Sequence, residues 1–259
     1  MQKARESFFR RTACPPACSL ILLAGGLATR PLEAQSATYL ELGGGWRQGD
    51  FGTPVRSTLW MGHATFGITG GRWEANLTVP TLSLTREEGG TSSQDQGLGD
   101  VVVRGAYRLM PENEAGWSLD GACAIKLPTA SETAGLGTGH TDVGGFLTAR
   151  HRGGAFQWTC LGGWIQASSS TLAGTAETLT PGAYVLGLNV ACYANLTRWE
   201  LGLEARGPAL EGAPGAREVS LKVFQPFSST WGMNVGFTLG LNDGGPRRGA
   251  DLALVWRFN

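Results

Sequence analysis

Histidine, aspartate and serine are the residues from which a hydrolase would be built, and the sequence has one run that suggests it. His140-Thr141-Asp142 sets a potential base two residues from a carboxylate, with Ser131 or Ser118 as nearby nucleophiles. The serine of such a site sits on a sharp strand-to-helix turn, and the chain holds no Gly-x-Ser-x-Gly stretch to make one. The other histidines, His63 and His151, are not spaced to complete a metal site, and no metal or other cofactor is expected. Gly135, Gly137 and Gly139 would cradle a phosphate at the start of a helix, but strand-like sequence follows them. The bland reading is preferred: a solvated loop histidine, and glycines that let a loop fold over a mouth. Asp100 and Asp142 each follow a glycine-rich stretch, and either could bind a cation or pin the loop.

Five cysteines are present, and two of them, Cys14 and Cys18, fall in the N-terminal leader described below. Cys123, Cys160 and Cys192 sit on the apolar side of three different strand candidates. An odd number without C-x-x-C spacing argues against a disulfide framework or a metal site. Small hydrophobes on a lipid face are the expectation. A Cys160–Cys192 bridge would require those positions to pair directly.

The elements that would position any of these residues are strands. At the C-terminus, Ala250, Leu252, Leu254, Trp256 and Phe258 share one parity; Asp251, Ala253 and Arg257 share the other, with Val255 its apolar exception. A period of two is that of a β-strand, whose successive side chains point to opposite faces. The pattern repeats upstream, most clearly over residues 117–127. There Trp117, Leu119, Cys123, Ile125 and Leu127 oppose Ser118, Asp120, Ala122, Ala124 and Lys126. About twelve strands result, with residues 55–69 the poorest candidate. The apolar residues change parity at Pro80, where a bulge or bend is expected. Residues 86–99 read as a long polar loop, and 128–140, 167–181 and 207–216 as further long loops. Tight turns alternate with them, as in transmembrane barrels, where short turns lie on one side and long loops on the other.

The two faces decide the solvent. Trp73, Tyr107, Trp117, Trp199, Trp231 and Trp256 lie near strand ends, where interfacial girdles belong. The polar ladder carries Arg104, Arg108, Lys126, Arg150, Arg206, Lys222 and Arg257 against Glu74, Asp120, Asp142, Glu200, Glu204, Glu218 and Asp251. Near balance of both signs suits a closed interior, and these fourteen residues are the candidate pore lining. A secreted soluble β-protein with the faces reversed is the competing reading. Charged residues make up 16% of the chain and sum to zero, which gives no electrostatic case for nucleic acid. The 40 glycines and nine tryptophans suit strands that turn often and face lipid.

Residues 1–36 resemble a secretory signal peptide. Lys3, Arg5, Arg10 and Arg11 make a basic start, residues 20–27 an apolar core, and small residues up to Ala37 a cleavage region. That core is too short to span a bilayer as a helix, so insertion must be through strands in residues 37–259.

Three stretches resemble a family of outer-membrane proteins named for the phenol meta-degradation pathway. Gly71-Arg72-Trp73-Glu74-Ala75-Asn76-Leu77-Thr78-Val79-Pro80 is similar to its strand ending in Val-Pro or Leu-Pro. Gly97-Leu98-Gly99-Asp100-Val101 with Tyr107-Arg108-Leu109 is similar to its GLGD…YRL segment. Lys126-Leu127-Pro128-Thr129 with residues 135–144 is similar to its KLPTG…GLGTGSTDVG segment, although Ala130 replaces a glycine and His140 a serine. The resemblance covers roughly residues 40–259. It implies an all-β, up-and-down transmembrane barrel that passes small, often hydrophobic compounds.

The expectation is therefore an outer-membrane channel of about twelve antiparallel strands, surrounded by lipid, with a small-molecule permeant. Its bore should be narrow, with loops 86–99 and 128–140 as gates. Residues 250–258 would present the terminal strand to the barrel-assembly machinery. A filled structural or adhesive barrel, and a barrel hydrolase, are the alternatives.

Overall fold

The computed structural model describes residues 36–258, except 52, 54, 168–179, 181, 209 and 210. The expected leader and most of the expected loop 167–181 lie outside the described residues. The strands are β1 (Ala37–Gly49), β2 (Arg56–Gly70), β3 (Trp73–Glu88), β4 (Thr91–Leu98), β5 (Val101–Met110), β6 (Trp117–Leu127) and β7 (Asp142–Gly153). They continue with β8 (Phe156–Gln166), β9 (Gly182–Ala194), β10 (Thr197–Arg206), β11 (Arg217–Pro226), β12 (Trp231–Gly240) and β13 (Pro246–Phe258).

All pairings are antiparallel between neighbours, and the ring closes where β1 pairs with β13. Twelve strands make the wall. The extra one, β4, is a hairpin extension that pairs with the upper half of β3, Thr81 to Glu88, while β5 pairs with the lower half. Closure satisfies the wall's backbone donors and acceptors without water, which a bilayer requires. The free edge of β4 is polar, Thr-Ser-Ser-Gln-Asp-Gln, and projects past the wall on the side of the long connections. Residues 71–72, 111–116, 154–155, 195–196 and 227–230 are short links at the end where β1 begins and β13 finishes; we call this the turn end. The longer connections gather at the opposite, loop end.

The chain is inside out relative to a soluble protein. Large apolar side chains, among them Leu42, Phe66, Leu77, Leu147, Leu186, Leu201, Phe237 and Leu252, face outward and are exposed. In water such a surface would aggregate; against hydrocarbon it carries no such penalty. All nine tryptophans lie on this outer ladder. They form two girdles. Trp73, Tyr107, Trp117, Trp158, Trp199, Trp231 and Trp256 lie toward the turn end, with His151 stacked on Trp117 at 4.6 Å. Trp46, Trp60, Trp164 and Tyr184 lie toward the loop end. Trp60 is ten residues up β2 from Gly70, the partner of Trp73. Ten residues at about 3.3 Å each, tilted about 40°, span about 25 Å, the height of an outer-membrane barrel's apolar band.

Two expectations are corrected, and a third point, left conditional, is decided by the register. Residues 86–99 are not a loop: β3 runs on to Glu88, turns through Gly89 and Gly90, and returns as β4. Above the band neither face meets lipid, so this hairpin lacks the apolar alternation that marks the other strands. Pro80 makes no bulge, because the β2–β3 register is continuous from Arg56↔Glu87 to Gly70↔Trp73. Leu82 and Leu84 stay on the inward parity of Glu74 and Asn76, and are buried with Phe51, Leu59 and Leu136 under the loop-end cap. Pro80 falls where the partner of β3 changes from β5 to β4, so its missing N–H breaks no ladder bond. Finally, Cys160 faces Leu188 and Cys192 faces Phe156, so no bridge joins them, and the three cysteines are free on the outer ladder.

Candidate functional site

The interior is where polar chemistry collects. All fourteen charged residues of the sequence's polar ladder point inward: Glu74 on β3, Arg104 and Arg108 on β5, Asp120 and Lys126 on β6, and Asp142 and Arg150 on β7. Glu200, Glu204 and Arg206 follow on β10, Glu218 and Lys222 on β11, and Asp251 and Arg257 on β13. Sequence reading missed Glu41, Arg47, His63 and Arg198 on the same ladder, and Asp100 at its upper edge. On β1 the apolar alternation is blurred by Gly43, Gly44 and Gly45. On β2 it is blurred by Leu59 and Met61, which pack inward beneath the cap.

Ion pairing is dense. Near the turn end Asp120 accepts from Arg108 Nε at 2.9 Å and from Arg150. Arg198 pairs with Glu200 at 2.5 Å, and Glu74 accepts from the Tyr39 hydroxyl at 2.8 Å with Arg104 at 3.6 Å. Near the loop end Arg206 binds Glu204 at 3.0 Å and also Glu218. Arg47 meets Asp251 at 2.9 Å, and His63 Nε2 lies 3.2 Å from Glu41. Charges buried in this way are tolerable because each has an opposite partner.

The charge is sorted along the axis. In the turn-end half Arg104, Arg108, Arg150, Arg198, Lys222 and Arg257 face Glu41, Glu74, Asp120 and Glu200. In the loop-end half Arg47, Lys126 and Arg206 face Asp100, Asp142, Glu204, Glu218 and Asp251.

Lys126 holds the cap. Its side chain is 0% exposed, with Asp142 at 2.7 Å and Asp100 at 3.1 Å, and its ammonium donates to Thr138 at 2.6 Å. Asp100 also accepts from the Ala130 N–H at 3.0 Å. The two aspartates left open by the sequence thus pin loop 128–140, and the cation between them is a lysine ammonium. Gly137 has no room for a side chain: an added Cβ would lie 2.6 Å from Ala130 and 2.8 Å from Asp100. Two of the three stretches that carry the resemblance, residues 97–101 and 126–144, supply Asp100, Lys126, Thr138 and Asp142, so they meet at this one point.

The interior is packed unevenly. On β5 to β9, Val102, Ala124, Leu161, Ile165 and Val185 form a buried apolar cluster with Phe146 against it. Across the lumen the charged side chains keep some access: Asp251 is 34% exposed, Glu204 22% and Arg47 16%. Hydrolase geometry is not assembled. Ser118 starts β6 at the turn end and His140 lies beyond the other end of that strand; Ser131 bonds within its own loop to Thr133.

The crystal structure of an outer membrane channel from Pseudomonas putida F1 superposes with a TM-score of 0.71 at 15% identity, covering 90% of this chain and 98% of that one. The chain has the fold of a bacterial outer-membrane β-barrel. The β domain of the Bordetella autotransporter BrkA matches with a TM-score of 0.56 at 12% identity, over 86% of this chain and 99% of that one. The KdgM porin matches with 0.54 at 10% identity, over 86% and 99%. At such identities the likeness is one of fold, and this fold serves both porins and autotransporters. No protein-family model and no curated protein matches the sequence.

Proposed function

We propose that the barrel is a passive channel for small molecules. The observation that carries this is the polar inner ladder within a closed wall, with Asp251, Glu204 and Arg47 still reached by water. Twelve strands at about 4.8 Å, tilted about 40°, give a wall-to-wall diameter of about 24 Å, which side chains narrow to a slim bore. The fourteen ladder residues are its proposed lining. The resemblance to the phenol-pathway family adds a substrate class, small hydrophobic or aromatic compounds. The apolar cluster around Phe146 would give such a solute a contact inside an otherwise polar tube. Residues 250–258 are the proposed handle for the barrel-assembly machinery.

The dense packing of β5 to β9 favours one other reading, a filled barrel that acts through its outer loops. Planar-bilayer recording separates the two. Discrete conductance steps are expected from the purified, folded protein; folded protein that inserts and passes no current would sink the channel.

A further inference from the structure

Three of the charged clusters are not neutral pairs, and their excess changes sign along the barrel. Near the turn end, two guanidinium groups, Arg108 and Arg150, share one carboxylate, Asp120. Near the loop end the ratio is reversed twice. Lys126 stands between Asp100 and Asp142, and Arg206 between Glu204 and Glu218. We propose that the lumen is a bipolar conduit, cation-rich at the turn end and anion-rich at the loop end, and that it conducts asymmetrically with voltage. The proposal rests on the channel reading above.

The physics is that of two ion-selective zones in series. Mobile cations concentrate beside the excess carboxylates, and mobile anions beside the excess guanidinium groups. With the loop side positive, cations enter through the anionic half and anions through the cationic half. Both drift toward the middle, ions accumulate there and the current is large. With the voltage reversed, both are drawn out, the middle is depleted and the current falls. Fixed charges act on the whole cross-section of a narrow bore while the Debye length is about 10 Å, near 0.1 M salt; at 1 M it is about 3 Å and the asymmetry should fade. A near-zero net charge along the ladder hides this in the sequence, because the sorting depends on which end of each strand a residue occupies.

Two substitutions neutralise one cluster at each end without stranding a charge, and leave the Lys126 cluster of the cap intact. Glu204→Gln leaves Arg206 with Glu218, and Arg108→Gln leaves Arg150 with Asp120. Single channels would be recorded in 0.1 M and 1 M KCl, with sidedness read from streptavidin binding to a biotinylated Ser92→Cys at the exposed hairpin tip. The wild type should pass roughly twofold more current with the loop side positive at 0.1 M, and near-equal currents at 1 M. In the double variant the 0.1 M ratio should fall toward one. If Arg108→Gln does not fold, Asp251→Asn, which weakens the anionic half at an accessible position, should lower the ratio in the same direction. A conducting channel with a linear current–voltage curve at 0.1 M, a ratio of opposite sense, or a ratio unchanged in the variants overturns the bipolar lumen and leaves the channel standing. Folded protein without any current removes the channel itself, and the proposal with it.

Discussion

Leu147→Arg is expected to make the folded barrel about 2–4 kcal/mol less stable in phospholipid vesicles. Leu147 lies midway along β7, between Gly121 and Gly162 on the neighbouring strands, and its side chain is 55% exposed. On a soluble protein, replacing so exposed a leucine with arginine would change stability by no more than about 0.5 kcal/mol. Here the exposed face meets hydrocarbon near the bilayer midplane, and the guanidinium has no short route to either headgroup layer. Equilibrium unfolding in denaturant with vesicles present measures the difference. Leu147→Ala is the control, because it removes apolar contact without adding charge. Equal stability of Leu147→Arg and Leu147→Ala would contradict a lipid-facing Leu147.

Lys126→Met is expected to cost about 3–5 kcal/mol, the usual scale for removing one partner of a buried ion pair. Its ammonium is enclosed by Asp100, Asp142 and Thr138, and without it two buried carboxylates face each other. The cap should detach first, because Asp100 also holds the backbone of Ala130 and Leu136 is packed beneath the loop. Limited proteolysis should then cut within residues 128–140, a segment expected to resist in the wild type. The triple change Asp100→Asn, Lys126→Met, Asp142→Asn removes all three charges together and should recover most of the lost stability. A triple variant no better than Lys126→Met would show that the lysine acts through packing and not through charge.

How legible this was depends on what each face of a strand meets. Within the bilayer one face sees lipid and the other sees charge. The alternation of Trp117, Leu119, Cys123 and Ile125 with Ser118, Asp120 and Lys126 therefore gave both the strand and its orientation. Above the bilayer that contrast vanishes. Arg86 reaches Asp95 at 2.6 Å across the outer part of the hairpin, where residues 85–97 are polar on both faces and nothing in their pattern marks a strand. The same change of environment explains Leu82 and Leu84: they are apolar and inward because a cap covers them, and their parity never moved. The clusters around Asp120, Lys126 and Arg206 join residues from two or three strands, so they depend on a register that a single strand's sequence does not contain.

Fluorescence quenching of the tryptophans in bilayers tests the inside-out arrangement most directly, because all nine lie on the outer ladder and none reports from the interior. Phospholipids brominated along the acyl chain should quench most of the intrinsic emission, while aqueous iodide should quench little. Strong quenching by iodide with brominated lipid inert would place the indoles away from hydrocarbon and contradict the account.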